Sequence, residues 1–178
     1  LSITGKPDIT NKKFCNSKSN RYSIIFNGEI YNYKKLKLKY LKEYDLASDT
    51  DTEVLVNMYE KIDEAKISNK LEGMYAYMVY DRNDKSIIIS RDLIGEKCLY
   101  YYEDSEKFII SSEISAIRFL EKNLILNRNS IIKYFYTRHY LAYNDTPYKK
   151  IKTLEPGITR KYIISQNKWE LLNRFDLT

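Results

Sequence analysis

The sequence predicts an α+β protein built on largely antiparallel sheet. Three observations carry this reading. Apolar residues keep helical spacing up to about residue 70 and then switch to alternation. Strands come in runs joined by short turns, and helices lie in separate runs before and after them. An alternating βαβ pattern is absent. Residues 6–21 are polar and turn-rich and read as a surface loop. Tyr22 to Phe26 is a short apolar strand running into Asn27-Gly28, a dipeptide that favours a tight turn. Over residues 31–44, Tyr33, Leu36, Tyr40, Leu41 and Tyr44 recur at helical spacing with lysines between them. A second helix opens at Thr50, with Glu53 three residues on as in a capping box, and continues through Val54, Leu55, Met58, Tyr59 and Ile62. Met74–Asp81 and Lys85–Asp92 read as strands around an Arg82-Asn83-Asp84 turn. Leu99–Tyr102 and Lys107–Ser112 form another predicted hairpin around 103–106. Helices are expected near 113–121 and 130–140, and a last hairpin over 158–164 and 168–172 turns at Gln166-Asn167.

The chain has 178 residues, the size of one domain. Apolar content of 43% and charged content of 30% exclude wholesale disorder. A chain this long buries roughly two-thirds of the surface its unfolded form exposes, enough for a core without staples. Only Cys15 and Cys98 are present, so a disulfide framework is excluded, and no spacing suggests a metal site. No apolar run approaches the ~20 residues that cross a bilayer, and Leu1 to Thr10 lacks a signal-peptide core. A cytoplasmic protein with no membrane partner is expected. Many of the 18 tyrosines sit in alternating runs such as 74–80, which suits pleated sheet. The net charge of +6, with lysines interleaved among tyrosines at 31–44, raises nucleic-acid binding. Basic and acidic residues are scattered and not blocked, so solvated faces with inward aromatic bodies explain them better, and no nucleic-acid partner is expected. His139 has no ligand-spaced neighbour and reads as a surface or helix-end residue.

Two patches could carry chemistry. In 26–32 (FNGEIYN), a strand leads to Asn27, whose side-chain amide is a donor, and Gly28, whose backbone N–H is free to turn outward. Two such donors converging make an oxyanion hole, the device that stabilises a tetrahedral acyl-transfer intermediate. Glu29 beside them can hold an ammonium. Alone, an Asn-Gly pair is most often only a turn. In 49–53 (DTDTE), acidic residues at a helix start complement the macrodipole, and Asp51 is also placed to meet a ligand's amino group.

The patches FNGEIYN, TDTEV, LEGMYAYMVYD, RDLIGEKCLYY, FIISSEISAI and LEPG, in this order, resemble the glutaminase domain of asparagine synthetase. That family belongs to the class II glutamine amidotransferases within the N-terminal-nucleophile hydrolases. Leu1-Ser2-Ile3 resembles the end of its RLSI segment, so the resemblance covers nearly the whole chain. It implies a four-layer α/β/β/α sandwich with mainly antiparallel sheets and N-terminal strands missing, and one amidotransferase domain over residues 1–178. In the family an N-terminal cysteine, with its α-amine as base, attacks the glutamine side-chain amide and releases ammonia. By resemblance, Asn27 and Gly28 form the oxyanion hole, and Glu29 and Asp51 bind the amino end of glutamine. Leu1, Ser2 and Ile3 line the glutamine pocket. Arg91-Asp92 with Gly95 matches the family's RDxxGxKPL segment, Cys98 standing in for Pro, and reads as a structural turn with an ion pair.

The family's Cys-Gly and its carboxylate-gripping arginine lie before the position of Leu1. Neither Cys15, in a loop close to Asn27, nor Cys98 is expected to replace that nucleophile. Without the cysteine strand an apolar edge stands open, so these residues alone are expected to be marginally stable. The ATP-binding SGGxDS loop of the synthetase half is also absent. No cofactor is therefore expected in this domain, ATP and Mg being needed only by the synthetase domain of the same full-length protein. Expected partners are glutamine and that synthetase domain, with a homodimer left open. The implied function is ammonia generation for converting aspartate to asparagine. The alternative is a degenerate, non-catalytic module that binds glutamine or a partner.

Overall fold

A computed structural model of the chain describes residues 14–104, 107–139 and 145–175. Its strands are β1 (Cys15–Asn16), β2 (Tyr22–Ile30), β3 (Gly73–Asp81), β4 (Ser86–Arg91), β5 (Tyr100–Glu103), β6 (Phe108–Ser111), β7 (Ile151–Thr153), β8 (Ile158–Ile163) and β9 (Lys168–Arg174). Its helices are α1 (Tyr33–Tyr40), α2 (Asp51–Met58), α3 (Glu64–Ile67), α4 (Ile114–Leu120) and α5 (Arg128–Thr137). The chain divides into two compact units. The first runs up to Lys97 and resumes at Pro156, and the second is Cys98–Glu155.

The first unit is a six-stranded sheet in the order β1-β2-β3-β4-β8-β9, every neighbouring pair antiparallel. Period-two alternation divides its faces. Tyr22, Ile24 and Ile30 of β2, Tyr75, Tyr77 and Val79 of β3, and Ile88 of β4 lie on one face. They share a core with Leu36 and Leu41 by α1, Val54, Leu55 and Met58 of α2, and Ile67 of α3. Each such side chain contributes about 1.5–3 kcal/mol through burial. Tyr22, Tyr59, Tyr77 and Tyr75 form a chain of ring contacts inside that core, with a Tyr59–Tyr77 hydroxyl bond of 3.1 Å. Many of the tyrosines are thus core residues of the sheet, as their alternation predicts.

The β3–β4 turn is fixed electrostatically. The fully buried Asp81 accepts two bonds from the Arg21 guanidinium side, 3.0 Å from Nε and 2.7 Å from Nη2, and others from the backbone of Asn83 and Asp84. Burial pushes the Asp81 carboxyl upward, but Arg21 and these amides outweigh it and hold the group below its ordinary range.

The second unit is a three-stranded antiparallel sheet in the order β6-β5-β7, with Tyr102, Ile117 and Ile151 at its small core. The predicted 99–102/107–112 and 158–164/168–172 hairpins form as β5–β6 and β8–β9, the latter turning through Asn167 in the left-handed region.

Five expectations change. Within 6–21, Cys15–Asn16 is not loop but the strand β1 paired with β2, and the second helix ends at Met58, short of Tyr59 and Ile62. The 31–44 helix stops at Tyr40, where Leu41 caps it. Thr50 does cap α2 by accepting from the Glu53 amide (3.3 Å), but the Glu53 carboxylate reaches the Ala47 and Ser48 amides, so the box closes on the preceding loop. Asn27-Gly28 is no turn. β2 runs straight through it, because nine consecutive residues of β2 stay in register with β3 and that ladder outweighs the local turn preference.

Candidate active site

The backbone of β2 decides which way the Gly28 amide points. Cross-strand bonds from Arg82 N to Arg21 O (3.0 Å) and from Tyr31 N to Glu72 O (2.7 Å) flank the β2–β3 ladder. In an antiparallel pair the bonded residues alternate. Residues 23, 25, 27 and 29 therefore bond to β3, and 24, 26, 28 and 30 turn their N–H and C=O to the opposite edge. The observed bonds agree: the Ile30 N–H donates to Asp51 Oδ2 at 3.0 Å, and Tyr22 O accepts from Ser17. The Gly28 N–H thus faces the edge away from β3, where β1 pairs only as far as Ile24.

Gly28 is required by close approach. At φ +147° a Cβ there would lie 2.1 Å from Met74 O and 2.7 Å from Tyr75 Cα. Gly73 mirrors it at φ +154°, its Cβ falling 2.1 Å from Glu29 O. Gly28, opposite Tyr75, and Gly73, opposite Ile30, let the two backbones meet more closely than any side chain permits. Gly73 is not among the site residues expected from the sequence, although a glycine opening an alternating strand is a signal for such contact.

Asn27 and Glu29 share the sheet face opposite the tyrosine core. Asn27 is exposed and Glu29 half-buried, and neither side chain has a hydrogen-bond partner among the described residues. Asp51 is different. It is nearly buried at the first position of α2, with one carboxylate oxygen on the Ile30 N–H and the other on the Thr52 N–H at 2.7 Å. It therefore ties the helix start to the end of β2, directly beside Glu29. The structure brings Asn27, Gly28, Glu29 and Asp51 to one end of one strand. Leu1, Ser2 and Ile3 lie outside the described residues.

Asn32 anchors this end from below, donating to Lys70 O at 2.9 Å and accepting from the Glu72 N–H at 3.2 Å. Arg91, Asp92 and Gly95 form the structural turn the motif suggests, held by backbone groups. Arg91 donates to the carbonyls of Lys97 and Gly95. The Asp92 carboxylate accepts from five backbone N–H groups: those of Tyr75, Ile94, Gly95, Glu96 and Lys97. Its backbone oxygen also accepts from Gly157 at 2.8 Å. His139 follows α5 and is exposed, and both cysteines are half-buried. Among the described residues no cluster of His, Cys, Asp or Glu is arranged to hold a metal. No helix of the described residues is long and apolar enough to cross a membrane.

A family model described as a glutamine amidotransferase domain matches residues 1–175. The chain belongs to the glutamine amidotransferase domain family. Asparagine synthetase (glutamine-hydrolysing) 1 of Bacillus subtilis is 32% identical over 137 residues, covering 76% of this chain and 21% of that protein. A Methanocaldococcus jannaschii protein described provisionally as asparagine synthetase (glutamine-hydrolysing) 2 is 36% identical over 132 residues, 72% of this chain and 24% of its own length. The amidotransferase domain thus spans about a quarter of the length of the curated relatives it matches. Among solved structures, the glutamine phosphoribosylpyrophosphate amidotransferase of B. subtilis superposes with a TM-score of 0.60 at 16% identity, over 93% of this chain and 31% of that one. That likeness shows the fold: the amidotransferase domain has the antiparallel α+β fold of the N-terminal-nucleophile hydrolases, as the sequence resemblance implies.

Proposed function

We propose that this amidotransferase domain hydrolyses glutamine to supply ammonia to an ATP-dependent synthetase of the asparagine synthetase type, which converts aspartate to asparagine. The observation that carries the reading is an Asn27 amide with no partner among the described residues, next to a Gly28 N–H turned to the edge of β2 away from β3. When a thiolate adds to the glutamine side-chain carbonyl, the C=O π pair moves onto oxygen. Asn27 Nδ2 and the Gly28 N–H donate to that oxyanion. Collapse breaks the C–N bond; the departing nitrogen takes the proton that the nucleophile's α-amine removed from the thiol and leaves as ammonia, and water later releases glutamate from the thioester and restores the thiol. The nucleophile of the family is an N-terminal cysteine that no residue of this sequence matches, so the residues here bind and orient the substrate and stabilise its oxyanion. Glu29 offers a free carboxylate to the substrate ammonium. Asp51 adds a second negative charge, using lone pairs that its two backbone donors leave open. By the family resemblance, Leu1, Ser2 and Ile3 also bind the substrate. The hydrolytic step uses no cofactor, and ATP and Mg belong to the synthetase portion. The place of action is the cytoplasm.

The test is glutamate release from glutamine by the natural full-length protein, with and without Asn27→Ala. Loss of one oxyanion donor lowers kcat by about 10²-fold or more. Turnover equal to wild type overturns the oxyanion assignment. If the wild type binds glutamine without turning it over, the domain is a binding module. Transfer of the ¹⁵N label from glutamine amide to aspartate, with ATP present, tests the acceptor.

A further inference from the structure

Helix α5 of the second unit carries five large apolar residues in ten positions, and none of them is buried. Its seated side is the side of Ser130, which is buried and donates to Asp145 Oδ1 at 2.9 Å. The opposite side presents Ile132, Phe135 and Tyr136 at i, i+3 and i+4, exposed by 54%, 75% and 86%. The two rings alone offer on the order of 300 Å² of apolar surface, the size of the patches that mark interaction sites. An isolated helix of ten residues is marginal in water, so packing of this stripe stabilises it.

Charge selects the occupant. α5 holds Arg128 and no acidic residue, Lys133 is paired with Asp145 at 3.2 Å, and Arg138 follows at its end. Arg128 lies on the stripe side. Antiparallel self-pairing about a two-fold axis would set the basic ends of the two helices against each other without a carboxylate on either. The fitting partner is an apolar surface with an acidic rim. The relatives carry about three quarters or more of their length outside the matched domain.

We infer that the Ile132–Phe135–Tyr136 stripe is the surface on which the synthetase portion of the same polypeptide docks. This rests on the proposed two-part protein, not on glutamine hydrolysis itself. The test places photo-cross-linking p-benzoylphenylalanine in place of Phe135 in the natural full-length protein and maps the product by mass spectrometry. The expected product joins α5 to a peptide beyond residue 178 of the same chain. Cross-links to a second copy, cross-links confined to residues 1–178, no cross-link, or a natural chain ending at residue 178 each overturn it. In the same protein, Phe135→Ser is expected to leave glutamine hydrolysis unchanged and to lower glutamine-dependent synthesis at least tenfold. A wild type without hydrolysis refutes the functional proposal while the cross-link still reports on docking.

Discussion

Replacing Gly28 with alanine forces β2 and β3 apart. The added Cβ lies 2.1 Å from Met74 O, 2.7 Å from Tyr75 Cα and 3.0 Å from Met74 C, all backbone atoms that no rotamer change can move away. Reaching an ordinary contact above ~3 Å requires the backbones to separate by about 1 Å. The neighbouring pairs Asn27↔Ala76 and Glu29↔Met74 are the bonded ones, and a 1 Å separation takes N–H···O bonds near ~2.9 Å beyond bonding range. Losing the four bonds of those two pairs at about 1 kcal/mol each, with strain of about 1–2 kcal/mol for alanine at φ +147°, gives a loss of about 5–6 kcal/mol. For a chain of this size that lowers Tm by on the order of 10 °C. Urea unfolding followed by far-UV circular dichroism gives the number. A loss below about 1 kcal/mol at unchanged m-value would refute the close-approach argument. Asn27→Ala is the control: its exposed side chain bonds to nothing described, so stability should stay within about 0.5 kcal/mol.

Asp51→Ala is expected to raise KM for glutamine and to cost about 1–3 kcal/mol, because the Ile30 and Thr52 amides lose their acceptor; unchanged KM removes Asp51 from the substrate site. Asp92→Ala strips the acceptor from five backbone N–H groups and should cost about 3 kcal/mol or more, with Asp92→Asn costing less; a shift in urea midpoint worth under ~1 kcal/mol would show that water replaces the carboxylate freely. Burial raises the phenols of Tyr59, Tyr75 and Tyr77, and pushes Tyr22 up to about 12. The folded state therefore favours their protonated form. Their contribution is full below the unfolded value of about 10 and is lost as pH rises from there through the folded values. Absorbance at the tyrosinate band should show part of the 18 tyrosines ionising only together with unfolding. Smooth titration of all of them in an intact fold would contradict this.

Alternation made the sheet legible, since Tyr75, Tyr77 and Val79 of β3 fall on one face with Ile88 of β4, although Ala76 and Ile89 are buried on the other face as well. The hairpin turns were equally local. The Asn27-Gly28 error has the opposite origin: its turn preference is a property of two residues, whereas the register with Ala76 and Tyr75 depends on a segment almost fifty positions away. β7 is only three residues beside a lysine pair, and α3 is a single turn, so neither repeats long enough to show a period. At the site, the residue types at 27–29 and 51 were visible in the chain. The direction of the Gly28 amide and the backbone donors on Asp51 follow from strand pairing alone.

Asp92 also has a consequence for the chain's architecture. Through its carboxylate it grips Lys97, where the chain leaves the first unit, and through its carbonyl it grips Gly157, just after the chain returns. Departure and return are thereby fixed side by side, and closing that gap costs little loop entropy whatever lies between. A change in the length of the intervening segment therefore adds little closure cost to the six-stranded sheet.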